Sequence, residues 1–548
     1  MFLFNDKAPK KIKFNDKSVK TLIYNGIVVW TEKILKAISG ISPLTLGSCA
    51  DNQSIVNYTM YGNSVQNETP TPANPIEIES VGIRSSNLLP YPYKAKTSTV
   101  NGVTFTMNND GSILINGTAK AATTVYLHQD TKNLLPGIKS GDTIAVSKFS
   151  DDEEQRGLVY FICNYYNEAG SMKQGAQATT AINGYATVTD EWKGMAAYLH
   201  IPNGNTINNL LLKLKIGIGK PATDWEPFGY RIPVVARGKN LIDYRNFVSR
   251  NQSTMPLTIN DDGSLDYTGT YYIKVPLSHL QSGKTYAFRM TYTFDGELVE
   301  VGKIFGTCQF RYTDGSYIAA RYGQGIQTDP TKELLELHCY FKSGYQQTFT
   351  AKIWDIQLEE ASVSTEYEPY KEPITTDIYL NKPLMGISKA FDYIDFENQK
   401  VVRKIGNYLL GISAMREITH DTLISFYYLV PDKTRNCDST KVEVLSPSLL
   451  GIPRNKNINL YNTPAISGNV TDNAVFAYLY REDVGDNTHA AIQNYLETNP
   501  ITIYYELATP IEESIDLPQL PNYEGTTVLE VNTIAKPNMD VSYYTQGG

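Results

Sequence analysis

Thr223-Asp224-Trp225-Glu226-Pro227-Phe228 is matched by Thr365-Glu366-Tyr367-Glu368-Pro369-Tyr370. Extending both backwards without a gap pairs Leu212 with Trp354, Leu214 with Ile356 and Ile216 with Leu358, while Lys213 meets Asp355 and Lys215 meets Gln357. A period of two in both lines predicts a strand with the same face inward. Further upstream, Asn87-Leu88-Leu89-Pro90-Tyr91 matches Asn240-Leu241-Ile242-Asp243-Tyr244, and Ser140-Gly141-Asp142-Thr143 matches Ser282-Gly283-Lys284-Thr285. Asn108-Asn109-Asp110-Gly111-Ser112 likewise matches Asn260-Asp261-Asp262-Gly263-Ser264, a hairpin turn in each copy. Residues 87–228 therefore recur at 240–370. The copies are too long for solenoid repeats, so each is a whole domain. Short strands broken by Gly, Asn, Asp and Ser clusters predict an antiparallel β-sandwich, of jelly-roll type, in both.

The chain is 548 residues long, enough for several domains of ordinary size. A net charge of -8 without a basic block argues against capture of a nucleic-acid backbone. Five scattered cysteines without C-x-x-C spacing imply neither a disulfide framework nor a zinc site. The sequence opens without a signal peptide, and no apolar run is long enough to span a bilayer, so no membrane insertion is expected. Tyrosine, at 39 residues, outnumbers the 18 phenylalanines and 4 tryptophans. Strand propensity accounts for part of that excess, and wet aromatic binding surfaces account for it as well.

The expected organisation is mainly β and multidomain. Residues 1–40 form a small β-meander with a short helix at 31–40, built to dock on something larger; Asn25-Gly26 marks one of its hairpins. Residues 41–80 supply a strand and a linker in which Pro70, Pro72 and Pro75 impose an extended path. The modules occupy 81–230 and 231–372, with 229–239 as their connector. Residues 373–548 form a β-rich domain with one helix, capped by Asp486 or Thr488, apolar at Ile492, Tyr495 and Leu496, and stopped by Asn499-Pro500. A hairpin around Asn398 and a paired C-terminal tail complete that domain.

Gly62-Asn63-Ser64-Val65-Gln66 with the Thr-Pro run after it, the Asn87-Leu88-Leu89 opening, both Glu-Pro exits, the stretch from Asn499-Pro500-Ile501 to Ala508-Thr509-Pro510, and Glu524-Gly525-Thr526-Thr527 resemble minor structural proteins of tailed phages of Gram-positive bacteria. The resemblance covers nearly the whole chain. Its repeated modules resemble the jelly-roll carbohydrate-binding modules that such tail and baseplate proteins carry. The resemblance implies a virion component at the tail tip, baseplate or fibre, assembled in the host cytoplasm. It also implies a symmetric homo-oligomer among other tail and baseplate subunits, attached to a host cell-surface glycan. A phage-derived bacteriocin particle would use the same parts.

Catalytic motifs are missing: no G-x-S-x-G elbow, H-E-x-x-H or P-loop lysine occurs, and Gly323-Gln324-Gly325 lacks the rest of a dinucleotide fingerprint. No enzyme activity, cofactor or metal is expected. The acidic runs at 151–154, Glu359-Glu360 and Glu512-Glu513 are the one route to a glycan hydrolase, which needs two carboxyl groups across the scissile bond. They read more simply as solvated loop charges. Sugar binding needs a flat aromatic face beside amides and carboxylates. The candidates are Tyr91, Tyr93, Tyr165, Tyr166 and Trp192 in the first module, and Tyr271, Tyr272, Tyr312, Tyr317 and Tyr322 in the second. Trp225 and Tyr367, just past the last strand, read as anchors closing each sandwich. The Asn108 and Asn260 turns are rich enough in oxygen for calcium, although turn chemistry explains them equally. A purely architectural protein, whose modules contact neighbouring subunits, is the other alternative.

Overall fold

The computed structural model describes residues 13–14, 17–18, 21–24, 27–36, 44–49, 53–299, 306–341, 347–416, 420–430, 440–456, 458, 462–468, 473–521, 523, 525–531 and 533–545, with side chains between 59 and 537. The chain is mainly β and multidomain. The first module has strands β1 (Ile113–Thr118), β2 (Thr123–Asp130), β3 (Thr143–Phe149), β4 (Tyr160–Tyr166), β5 (Met172–Ala178), β6 (Asn183–Thr187), β7 (Gly194–Ile201) and β8 (Thr206–Ile218). They form two facing antiparallel sheets in the orders β1-β8-β3-β6 and β2-β7-β4-β5.

The second module has β9 (Leu265–Gly269), β10 (Tyr272–Pro276), β11 (Thr285–Phe294), β12 (Thr307–Tyr312), β13 (Tyr317–Arg321), β14 (Gly325–Gln327), β15 (Leu334–Tyr340) and β16 (Phe349–Glu359). Its sheets run β9-β16-β11-β14 and β10-β15-β12-β13, the same order strand for strand. Eight strands wound this way are a jelly roll. Each encloses its own core: Phe105, Phe161, Leu199 and Leu214 in the first, Tyr267, Phe288, Phe310 and Ile353 in the second.

The landmarks shared in sequence share their contacts. Asn87 donates to the carbonyls of Leu214 (2.9 Å) and Glu226 (3.1 Å) and accepts from the amides of Leu89 and Ile216. Asn240 donates to Ile356 (2.8 Å) and Glu368 (3.2 Å) and accepts from Ile242 and Leu358. One buried amide thus ties the start of each module, its last strand and its exit. In both hairpin turns the aspartate Oδ1 accepts from the serine amide and hydroxyl, at Asp110 with Ser112 and Asp262 with Ser264. A glycine of positive φ completes each turn. Ordinary turn bonding therefore accounts for these oxygens.

The ungapped pairing is in phase only in part. Leu214 and Ile356, like Ile216 and Leu358, are buried in their cores. Leu212 is buried too, but Trp354 is only half-buried. Asp355 has φ +52° and sits where the register of β11 and β16 slips, whereas the first copy has its bulge at Asn209, φ +51°. A bulge adds one residue and inverts the inward set before it. That inversion separates Leu212 from Trp354.

Outside the modules, segments distant in sequence share sheets. Strand Tyr230–Arg237 pairs with Ile374–Leu380 and Gly525–Val531, and the latter pairs with Leu44–Cys49. The expected connector is therefore a central strand. The first module leaves this sheet after Ile83–Arg84 and returns beside it, Tyr230 opposite Arg84. The second leaves after Arg237 and returns at Ile374, opposite Ala236. A second, eight-stranded sheet includes Ile27–Lys36, Asn538–Thr545, Gln53–Tyr61, Tyr393–Asp395, Lys400–Leu409 and Thr502–Ser514. A five-stranded sheet centred on Ala474–Tyr480 packs with helix α1 (His489–Thr498), whose Thr488 hydroxyl caps it and whose Ile492 and Leu496 are buried.

Two local expectations fail. The helix at 31–40 is instead the second half of a strand, Glu32 to Lys36 lying opposite Tyr544 to Asp540; residues 37–40 lie outside the described residues. The proline-rich stretch is not an extended spacer. Thr71 and Asn74 exchange backbone hydrogen bonds in a tight turn with Pro72 at its favoured corner. Gln66 donates to Ser446 and Leu449 and accepts from Gly451, pinning this stretch to the C-terminal region. The residues at Asn25-Gly26 are themselves outside the described set, but the strands they join pair, Tyr24 opposite Ile27.

Candidate glycan-binding faces

In each four-stranded sheet, alternation sends one set of side chains into the core and the other outward. In the first module Val125, Phe161, Cys163, Ala197 and Leu199 point inward. Outward positions therefore carry Tyr126, Tyr198, Tyr160, Asn164, Tyr166, His200, Gln129 and Gln177. Tyr126 on β2 lies opposite Tyr198 on β7, ring centroids 5.1 Å apart. Asn164 on β4 donates to the Tyr198 hydroxyl at 3.0 Å, while its oxygen accepts from the Gly175 amide. Gln129 reaches across β7 to the Tyr166 hydroxyl at 2.7 Å, over Ala196.

The second module repeats the central group. Tyr272 on β10 lies opposite Tyr340 on β15, centroids 5.0 Å apart. Gln309 on β12 accepts from the Tyr340 hydroxyl at 3.4 Å. The register relation is the same: Asn164 is the partner of the residue two before Tyr198, and Gln309 of the residue two before Tyr340. Burial, followed by the tyrosine across the strand, raises the phenol pKa of both Tyr198 and Tyr340, so both hydroxyls remain protonated at neutral pH. His338 occupies the position of Ala196, stacked on Tyr272 at 4.1 Å and bonded to Glu336 at 2.5 Å. Burial lowers its pKa and Glu336 opposes that shift. Two rings with an amide beside them suit a pyranose: the rings meet its C–H face and the amide its hydroxyls.

No family model matches the chain, and no curated protein matches it. Solved structures give weak likenesses. The N-terminal CBM22-1-CBM22-2 tandem domain from Paenibacillus barcinonensis Xyn10C is 14% identical at a TM-score of 0.21, over 51% of this chain and 98% of that one. The VP2 subviral particle of infectious bursal disease virus is 9% identical at a TM-score of 0.09, over 93% of this chain and 83% of that one.

The residues expected from sequence separate into four groups. Tyr312 (3% exposed) and Tyr322 (9%) are core, their hydroxyls taken by the Asp329 amide and the Tyr340 carbonyl, so they are not ligand contacts. Tyr93, Tyr166 and Trp192 are also largely covered: Tyr93 donates to the Gly111 carbonyl, Tyr166 lies under Gln129, and Trp192 belongs to the core. Tyr165 stacks on Trp192 at 4.5 Å beside a shallow cleft of about 480 Å³ with Asp190 and Glu191. Tyr91 stands edge-on to Tyr93 at the sandwich rim. Tyr271, at φ +65°, lies under Arg250, and Tyr317 is exposed under Arg311. Only Tyr272 of the ten belongs to the repeated group. Tyr126, Tyr198, Asn164, Tyr340 and Gln309 were missed, although Val125-Tyr126-Leu127 and Ala197-Tyr198-Leu199 carry the signal, a polar aromatic between two apolar residues.

Trp225 donates from its indole to the Leu214 carbonyl at 3.1 Å, as an anchor on the last strand does. Glu512-Glu513 lies within a strand, and Glu359 is the last residue of β16, with Glu360 just beyond it. Glu359 accepts from Gln357 and Thr365 and Glu360 pairs with Lys284, while Glu512 and Glu513 meet Lys400 and Arg403. In the third run Asp152 caps a short helix. A cavity of about 890 Å³ lies between the first module and the C-terminal sheets. Its buried Asp392 and Arg403 are spent on backbone groups of Met385, Lys404, Ile405, Lys382 and Pro383.

Proposed function

We propose that this chain is a non-catalytic glycan-binding protein of a phage tail, at the tip, baseplate or fibre, that attaches the particle to the host cell surface through the outer faces of its two jelly rolls. The single observation carrying the glycan part is the Tyr126, Tyr198, Asn164 group and its counterpart Tyr272, Tyr340, Gln309 at the same register in both modules. Two copies of one polar aromatic arrangement are more than a core requires, since the outward side of a sheet is free to be merely soluble. The phage part is supported by the sequence resemblance, which also implies tail subunits as partners, a symmetric homo-oligomer and a place in the virion.

Retention of the full chain on isolated host cell walls tests the glycan part. Tyr126→Ala with Tyr272→Ala should weaken retention about fivefold per module, since a well-placed ring contributes on the order of 1 kcal/mol beyond its area. Failure of the unaltered chain to bind any wall fraction would sink the glycan reading. Labelling of intact particles with an antibody to the chain tests the location, and particles without label would remove the virion assignment.

A further inference from the structure

The two faces share their central rings but differ in charge. On the second module the pairing register lays the outward residues in rows across five strands, because Val248–Ser249 adds to the edge beside β10. One row runs Arg250, Tyr272, Tyr340, Thr307, Arg321. The next runs Val248, Lys274, His338, Gln309, Ala319, and the third has Glu336, Arg311 and Tyr317. Arg250 and Arg321 thus bracket the tyrosine pair, four strand spacings or about 19 Å apart. The corresponding rows of the first module, Tyr126, Tyr198, Ile162, Gln177 and Gln129, Ala196, Asn164, contain no ionised side chain.

Of the four cations on the second face, Lys274 pairs with Glu336 at 2.9 Å. Among the described residues, no carboxylate lies within ion-pair distance of Arg250, Arg311 or Arg321. Arg311 bonds only the Gln309 amide, at 3.2 Å, and lies over the Tyr317 ring; Arg250 lies over Tyr271 and Tyr272. Ring contacts orient a guanidinium without neutralising it. Arg250 and Arg321 are exposed, so their donors are open to a ligand lying along the row. His338, 5% exposed and with no partner at Nδ1, lies in the adjacent row, stacked on Tyr272.

Resting on the proposed glycan-binding function, we infer that the second module takes an anionic glycan, one bearing carboxylate or phosphodiester groups along its chain, while the first takes an uncharged one. Arginine forks suit both anions, and an excess of positive charge over a ring platform attracts a polyanion; the rows of the first face hold no arginine, and its one neighbouring cation, Lys94, is bonded to the Gln129 amide oxygen at 2.6 Å.

The test is calorimetric titration of the full chain with three probes: an oligogalacturonate, a poly(glycerol phosphate) and a neutral oligosaccharide mixture from the host wall. Binding of at least one anionic probe is expected, weakened by salt and reduced about tenfold or more by Arg250→Gln with Arg321→Gln. Which probe binds identifies carboxylate or phosphate as the anion. Neutral binding should survive that double change and fall with Tyr198→Ala, which also reports that the arginine variant is folded. Neutral binding without either anionic probe, or anionic binding indifferent to both arginines, would overturn the inference while leaving the proposed function in place. No binding of any probe would overturn both.

Discussion

Asn87 and Asn240 show how one side chain closes a sandwich. Each satisfies four backbone groups that would otherwise be unpaired inside the protein. Asn87→Ala should destabilise the first module by about 2 to 4 kcal/mol, and Asn240→Ala the second by the same amount, because the bonds lost are the same. Hydrogen exchange resolved by module would show it, each variant loosening only its own sandwich. Lys148 is a different case. It is fully buried, with its ammonium donating to the carbonyls of Arg156 (2.8 Å), Val159 (2.6 Å) and Thr179, and burial lowers its pKa to about 8, with Arg156 adding to the shift. An unfolded lysine titrates near 10.4. Between these values the unfolded chain holds the proton that the folded chain has released, so the contribution of Lys148 to stability rises from pH 8 to 10. Above pH 10 the covered tyrosines of the same module, such as Tyr93 and Tyr198, whose pKa values burial raises, act in the opposite sense. Melting followed across that range should show the first module gaining stability up to about pH 10 and then losing it, and Lys148→Met should remove the gain.

At the scale of elements, the parts legible in the sequence were those whose signal is local. The hairpin turns, the helix capped by Thr488 and the repeated start and exit of each module are written in residues close together. What depended on a distant partner was not legible. Residues 31–36 have an apolar spacing that serves helix or strand, and only a strand nearly the whole chain away, Asn538–Thr545, decides between them. Pro70 and Pro75 fit an extended path, but the Thr71 turn and the Gln66 contacts with residues 446–451 fold it back. The bulges at Asn209 and Asp355 are invisible in an ungapped comparison, which is why Leu212 and Trp354 were matched. The repeated tyrosine groups were partly missed for a related reason. Tyr126 and Tyr198 become neighbours only when the register of β2 on β7 is known.

For the molecule as a whole, both modules are insertions into a framework made by the two ends of the chain. Removing residues 525–548 takes away the strand shared by Tyr230–Arg237 and Leu44–Cys49, and the strand shared by Ile27–Lys36 and Gln53–Tyr61. The framework should then become sensitive to limited proteolysis, while each jelly roll, with its own core and closure, survives as a resistant fragment of its own. Rapid digestion of the modules together with the framework would show that they depend on it.

Strand Tyr230–Arg237 carries the first module at one end and the second at the other. If both faces grip a surface while the framework is held back, the pull runs along this strand and against its neighbours Ile374–Leu380 and Gly525–Val531. Its ladder bonds would then be loaded side by side and would have to break together, rather than peel one at a time. An eight-residue segment that reads in sequence as a connector is, mechanically, the cable on which both attachments hang.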